Sequence, residues 1–279
     1  MTGTRRRRAP ARLRPQELAD QRDSASEGLA WLGRDPEPTA GPLVRVLRVL
    51  TRFICFGLLR LRVDAAGREH LPSDGGYILA AAVHRSWIDP LIIANAVPVE
   101  PKTWFLGSGA TAFQRRWLER LLHRTGGLFP VWRGGVGIEQ HVAAARAVLA
   151  ARAVFVMMPE GTIGGPPDRP TPLRGGTAVI ALRTGAPIVP LAIAGAEELY
   201  LGKRVASRLL PPVTARDLAG DAWNGTPPVE GSKEELAVAR LMTDRLEAIL
   251  GEAVAQIWPP TVDPPSRPRR LRDRLTNWF

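Results

Sequence analysis

A chain of 279 residues, 45% of them hydrophobic, can bury one sizeable core and lies near the upper end of what a single domain holds. Its formal net charge of +11 is concentrated at the ends: residues 1–14 carry six Arg and no acid, and residues 265–279 carry five Arg against Asp273. Such a balance suits nucleic acid or an anionic membrane surface equally, whereas a lone cysteine, Cys55, excludes an intrachain disulfide framework, a thiolate metal cluster and a thiol redox pair, and fits a reducing compartment.

Residues 1–40 are rich in Arg, Pro, Asp and Glu with little apolar periodicity, and read as a disordered or loosely docked arm. The charges at Arg14, Glu17, Asp20 and Asp23 interrupt the apolar region that an export signal needs after Arg5–Arg8, so none is expected. Segment 41–62 follows, and from Leu43 to Leu61 its pattern is helical. Arg45, Arg48 and Arg52 share one face, and Val46, Leu47, Leu50, Phe53, Ile54 and Leu58 fill the other. This is a basic amphipathic helix, suited either to packing on the core or to lying on anionic lipid.

Across 63–258, apolar runs alternate with helical stretches, the pattern of a layered α/β domain. Strands are expected at Tyr77–Val83, Thr103–Leu106, Leu128–Trp132, Val154–Met158 and Ile188–Ile193. Helices are expected at Leu91–Val97, Phe113–Arg124, Ile138–Ala150, Gly176–Thr184 and Lys233–Ile257, the last with Ser232 as N-cap and Glu235 three residues on. The longest uncharged run, Thr184–Ala196, is short of the ~18 apolar residues of a spanning helix and holds two prolines. Residues 259–279 form a basic tail.

Four polar signals follow four of the apolar runs, which in such a domain gathers them at one edge of the sheet, where ligands commonly bind. The first is His84-Arg85-Ser86-Trp87-Ile88-Asp89-Pro90. With Ser86 as a helix cap, Asp89 lies in the first turn and its carboxylate can fold back to the His84 imidazole. A histidine so held is a general base for an acceptor hydroxyl attacking a thioester carbonyl. Asp89-Pro90 is also an ordinary cap-and-first-position pair. The second signal is Gly127-Leu128-Phe129-Pro130-Val131-Trp132-Arg133, the third Pro159-Glu160-Gly161-Thr162, and the fourth Pro187-Ile188-Val189-Pro190-Leu191, whose prolines suggest an edge or irregular strand beside a pocket.

Taken together, in this order, the four blocks resemble those of the glycerolipid acyltransferase family, the lysophosphatidate acyltransferase-like enzymes with an H-x4-D motif. The resemblance runs from about Tyr77 to Gly195 and implies a single α/β domain, a mixed β-sheet flanked by helices, with the amphipathic helix as a membrane-docking element. It implies His84 and Asp89 as catalytic residues. It also implies Arg133 as a ligand of an acceptor phosphate, Glu160, Gly161 and Thr162 in acceptor binding, and Pro190 in shaping the acyl site. Arg174-Gly175 matches a basic-Gly step of the family and could supply further charge. No metal or resident cofactor is implied, only acyl-CoA or acyl carrier protein as co-substrate.

Three departures bear on the acceptor. Val83 stands where Asn usually precedes the His, Ser108-Gly109-Ala110 replaces an acidic segment, and Ile163 stands where many members carry Arg after the E-G-T. The expected activity is acyl transfer to a glycerolipid hydroxyl, most simply of 1-acyl-glycerol-3-phosphate or a related lysophospholipid. A glycolipid or aminolipid acceptor is the alternative. The expected setting is peripheral, on the anionic cytoplasmic face of the cell membrane. A nucleic-acid partner is not expected, since the basic charge is terminal and no binding motif accompanies it.

Overall fold

The computed structural model describes residues 36–108, 127–131 and 138–262, together with Leu121 and Thr125. Arg133, the expected helix Phe113–Arg124 apart from Leu121, nearly all of the N-terminal arm and the tail from residue 263 lie outside the described residues.

Seven described strands build one mixed sheet: β1 (Arg62–Ala66), β2 (Ile78–Ala82), β3 (Thr103–Ser108), β4 (Leu128–Val131), β5 (Val154–Met157), β6 (Ile188–Ala194) and β7 (Arg204–Leu209), in the order β1-β7-β6-β2-β5-β3-β4. Strands β2 to β6 run parallel; β7 runs against β6, and β1 runs with β7. The helices are α1 (Pro42–Arg52), α2 (Asp89–Ala96), α3 (Ile138–Ala150), α4 (Gly176–Thr184), α5 (Ala215–Ala219) and α6 (Lys233–Ile257). The α/β layering and mixed sheet expected from the sequence are both present.

Alternation along β2 explains the two layers. Ile78, Ala80 and Ala82 pack with α3, α4 and α6, while Tyr77, Leu79 and Ala81 pack with α2, Cys55 and Leu61. A strand covered on both faces reads as an unbroken apolar run, which is why it is conspicuous in the sequence. Strands β1 and β7 escaped the sequence reading because each mixes Arg and small residues at the sheet margin. The Ser232 hydroxyl accepts the Glu235 N–H at 3.1 Å and opens α6 as expected.

Two expectations are corrected. Strand β6 is interior, flanked by β2 and β7, and Pro190 is buried opposite Ala80 in the ladder. The interior tolerates it because its missing N–H falls on the side where the chain beyond β7 leaves regular pairing. There, Leu210 donates to the Pro190 carbonyl at 2.9 Å, and pairing with β6 resumes only at Val213.

The second correction concerns the amphipathic helix. The α-helix ends at Arg52 and continues as a wider π-helical turn, Phe53–Leu58. Two of its three arginines, Arg45 and Arg48, reach the protein, while Arg52 is exposed. Arg45 donates to the Ala40 carbonyl at 3.1 Å and to Glu100 at 2.6 Å, and Arg48 donates to the carbonyls of Val97 and, at 2.9 Å, Pro98. Burial, with Arg52 and Arg68 nearby, pushes the Arg48 pKa down to about 10, which leaves it charged at neutral pH. The apolar face is the one left open, with Val46, Val49, Phe53 and Leu58 each at least 60% exposed. Among the described residues, no helix is long and apolar enough to cross a membrane.

Candidate active site

Register brings the first and third blocks together. Strands β2 and β5 are neighbours with Ala80 opposite Met157, so His84, four residues on, and Glu160, three residues on, emerge side by side from the same edge. Asp89 is the first residue of α2 and is fully buried. Its Oδ2 lies 2.7 Å from His84 Nδ1 and accepts the backbone N–H groups of Arg85 at 2.7 Å and Ser86 at 2.9 Å. An oxygen that already accepts two amide protons requires the imidazole to donate at Nδ1. The lone pair is then on Nε2, in a ring that retains 15% exposure. The expected fold-back of Asp89 is therefore present.

Its cap is not as expected. Ile88 occupies the N-cap position without a side-chain bond, and the Ser86 hydroxyl is buried with no hydrogen bond among the described residues. The Asp89 carboxylate itself gathers the amides of the preceding turn, at a helix start where negative charge is favoured.

Glu160 is buried as well, and both of its oxygens are occupied. Oε1 accepts the His84 backbone N–H at 2.8 Å; Oε2 accepts Arg85 Nη1 at 3.1 Å, the Thr171 N–H at 3.2 Å and the Thr171 hydroxyl at 2.6 Å. Glu160 is expected to take part in acceptor binding; in the structure its side chain is engaged wholly within the protein. Its carboxylate is fully enclosed, and it ties the loop after β5 to the backbone of His84.

Arg85, which sequence reasoning passed over, is the other half of this tie. Its guanidinium is 4% exposed and donates to the carbonyls of His84 at 3.0 Å and Arg169 at 2.9 Å, and also to those of Gly164 and Pro166. One side chain thus holds four residues of the loop, Glu160, Gly164, Pro166 and Arg169, against the His84 turn. A charged residue beside a histidine looks like solvated surface; only the closure of the 160–171 loop over it makes it core.

The remaining candidates separate. Gly161 is exposed at the turn, with φ +63° and its N–H bonded to the Met158 carbonyl at 3.0 Å. A Cβ there would meet Arg174 Nε at 2.7 Å, so glycine serves both the left-handed backbone and the close passage of Arg174. Arg174 is exposed, and its N–H is held by the Pro159 carbonyl at 2.8 Å. Thr162 is half-buried next to the turn, and Ile163 is 62% exposed. The site therefore offers a histidine with a carboxylate partner and, beside Gly161, an exposed arginine, Arg174. Pro190 belongs to the ladder, two register positions before Ala192, which pairs with the last residue of β2.

Comparison with known proteins follows the same lines. Residues 62–194, which contain His84, Asp89 and Glu160, match the family model described as Acyltransferase. The chain is similar in fold to the crystal structure of the 1-acyl-sn-glycerophosphate (LPA) acyltransferase PlsC from Thermotoga maritima, with a TM-score of 0.56 and 19% identity over 77% of this chain and 79% of that one. No curated protein matches the sequence.

Proposed function

We propose that this chain is an acyltransferase that transfers a fatty acyl group from a thioester donor to a hydroxyl of a glycerolipid, most simply 1-acyl-glycerol-3-phosphate or a related lysophospholipid; the family-model match over residues 62–194 and the fold likeness support this reading. The observation that carries this reading is the 2.7 Å contact from His84 Nδ1 to a buried Asp89, which leaves Nε2 as the basic atom. In the reaction, Nε2 takes the proton of the acceptor hydroxyl as its oxygen bonds to the thioester carbonyl carbon. The carbon–sulfur bond then breaks, and the thiolate leaves with the proton returned from the imidazolium. Asp89 holds the tautomer and stabilises the imidazolium. The donor is acyl-CoA or acyl-acyl carrier protein, and the steps as drawn call for no other cofactor.

Arg174, beside Gly161, is placed to meet an anionic group on the acceptor, with Thr162 next to it. The exposed apolar face of α1 and its π-helical turn supports peripheral attachment to the membrane. The Arg-rich terminal segments would add attraction to an anionic, cytoplasmic leaflet. Ile163 favours a second reading: an exposed apolar side chain beside the turn suits a glycolipid or aminolipid acceptor without a phosphomonoester.

The experiment is a transfer assay with purified chain, labelled long-chain acyl-CoA and acyl-acyl carrier protein, offered 1-acyl-glycerol-3-phosphate, other lysophospholipids, and glycolipid and aminolipid acceptors in parallel. Phosphatidate or another diacyl phospholipid as the dominant product supports the first reading. Product from the glycolipid or aminolipid alone replaces it with the second. Thioester hydrolysis without transfer to any acceptor overturns both.

A further inference from the structure

The β1–β7 margin carries a groove that the acyl-transfer chemistry does not use. Helix α6 packs across β6 and reaches β7 near its own end, so one face of this margin is left uncovered. A groove of about 470 Å³ remains between the two strands and the Gln256–Ile257 end of α6, floored by the small side chains of Ala66 and Ala206. That volume lies in the range of small-molecule sites.

Its charge is one-sided. Arg62, Arg204 and Arg208 line the groove against a single carboxylate, Asp64. In the parallel ladder Arg62 stands directly beside Arg204, and like charges on adjacent rungs repel. Three exposed arginines elsewhere in this fold do have acidic partners, Arg45 with Glu100, Arg146 with Glu230 and Arg152 with Asp74. Among the described residues, none of the three groove arginines is in a salt bridge, and Arg208 donates to the neutral Gln256 at 3.1 Å.

Position gives the groove a link to the chemistry. Because β1 and β7 run against β6, their Arg62 and Arg204 ends emerge at the edge where β2 leads into His84. With strands spaced about 4.8 Å apart, Arg204 lies about 10 Å and Arg62 about 15 Å across the sheet from the line of β2. The apolar Leu58 and Leu201, both at least 50% exposed, flank the same corner, where the Gly202 N–H bonds the Leu59 carbonyl at 3.0 Å.

We propose that this groove is a binding subsite for an organic phosphate, gripped by Arg62 and Arg204. Two guanidinium forks side by side suit phosphate oxygens, and an anion between them relieves the repulsion that the ladder imposes. The phosphate belongs either to the headgroup of an anionic lipid or to the nucleotide end of a coenzyme A thioester; only that choice of sources rests on the acyl-transfer reading.

The test reads binding without turnover. Full-length chain and its R62Q/R204Q variant, checked for folding by circular dichroism, are titrated calorimetrically with coenzyme A and co-sedimented with phosphatidylglycerol and phosphatidylcholine vesicles. The variant is expected to lose about tenfold or more in affinity for coenzyme A or for phosphatidylglycerol, with phosphatidylcholine binding unchanged. Loss for coenzyme A assigns the groove to the donor, and loss for the anionic vesicles assigns it to a headgroup. A66W, which fills the groove from an exposed position of β1 without removing charge, gives the same readout if the arginine variant does not fold. Wild-type chain that binds neither probe, or variants that bind both within about twofold of wild type, overturn the proposal. A chain that binds but transfers no acyl group refutes the proposed function and leaves the groove standing.

Discussion

Glu160 and His84 are joined by a 2.8 Å hydrogen bond from the histidine's own backbone N–H to the glutamate's Oε1. The acidic residue of the third block thus acts on the catalytic turn from behind, through the main chain, while Asp89 acts on the ring from the side. The two carboxylates are not interchangeable, and their replacements should fail in different ways.

On the proposed mechanism, replacing His84 removes the base and little else. His84→Ala is expected to fold normally and to lose about 10²–10⁴-fold in kcat. Asp89→Asn should lose comparable activity and also about 1–3 kcal/mol of stability, because the same oxygen serves the amides of Arg85 and Ser86. Steady-state kinetics with urea denaturation of both variants checks this. A folded His84→Ala that keeps a tenth of wild-type turnover removes His84 from the mechanism.

The Arg85–Glu160 tie predicts a positioning defect. Glu160→Gln keeps the size but breaks a buried ion pair, and Arg85→Ala leaves Glu160 buried and uncompensated, so a cost of about 3–5 kcal/mol is expected for Arg85→Ala and less for Glu160→Gln. Both should lower kcat more than they raise the KM of the acceptor, and both should make the 160–171 loop quicker to proteolyse. An acceptor KM that rises alone on Glu160→Gln would return the glutamate to direct acceptor binding.

Membrane attachment through the apolar face predicts that Phe53→Asp with Leu58→Asp releases the protein from vesicles. Acylation of a detergent-solubilised acceptor should continue. Arg45→Gln should affect attachment little, since Arg45 is engaged with Glu100 and the Ala40 carbonyl. Flotation of the three proteins with anionic and neutral vesicles is the measurement. Unchanged flotation of the double aspartate variant would show that another surface carries the attachment.

A fourth prediction concerns acid. Arg183 on α4 grips Glu235 on α6 in a fork, Nε to Oε1 at 2.6 Å and Nη2 to Oε2 at 2.8 Å, and Gly231 adds its N–H at 2.7 Å. The Arg183 hydrogen bonds hold the Glu235 carboxyl below its ordinary 4.5. A depressed carboxyl pKa contributes stability that is present above about pH 4.5 and is lost as pH falls through the lower, folded value. Glu235→Gln should therefore narrow the difference in urea midpoint between pH 7 and pH 3, and Arg183→Ala should cost about 3–5 kcal/mol at pH 7. A wild-type midpoint that changes equally in Glu235→Gln places the acid sensitivity elsewhere.

Legibility followed burial. Strand β2 could be read because it is apolar on both faces, and β1 could not because Arg62 and Asp64 alternate with half-buried residues at an open margin. His84 and Asp89 could be paired from spacing alone, since a helix start five residues on brings the carboxylate back. Glu160 could be marked as important, but its internal partners could not be read, because its burial comes from Thr171 and Arg85, neither of which announces itself in the sequence. The amphipathic pattern of α1 defined two faces without saying which one the protein takes. Glu100 and the carbonyls after α2 decide that, some fifty residues further along.

Helix α2 is eight residues long, about 12 Å from end to end. At its start is Asp89, which aims His84; at its finish the carbonyls of Ala96 and Asn95 receive Arg68, and those of Val97 and Pro98 receive Arg48 of α1. Were the open face of α1 seated in lipid, as proposed, this short rod would become a gauge of depth. It would then set how far above the acyl chains the imidazole stands, so that the hydroxyl that reacts would be selected by its height in the bilayer as well as by its chemistry.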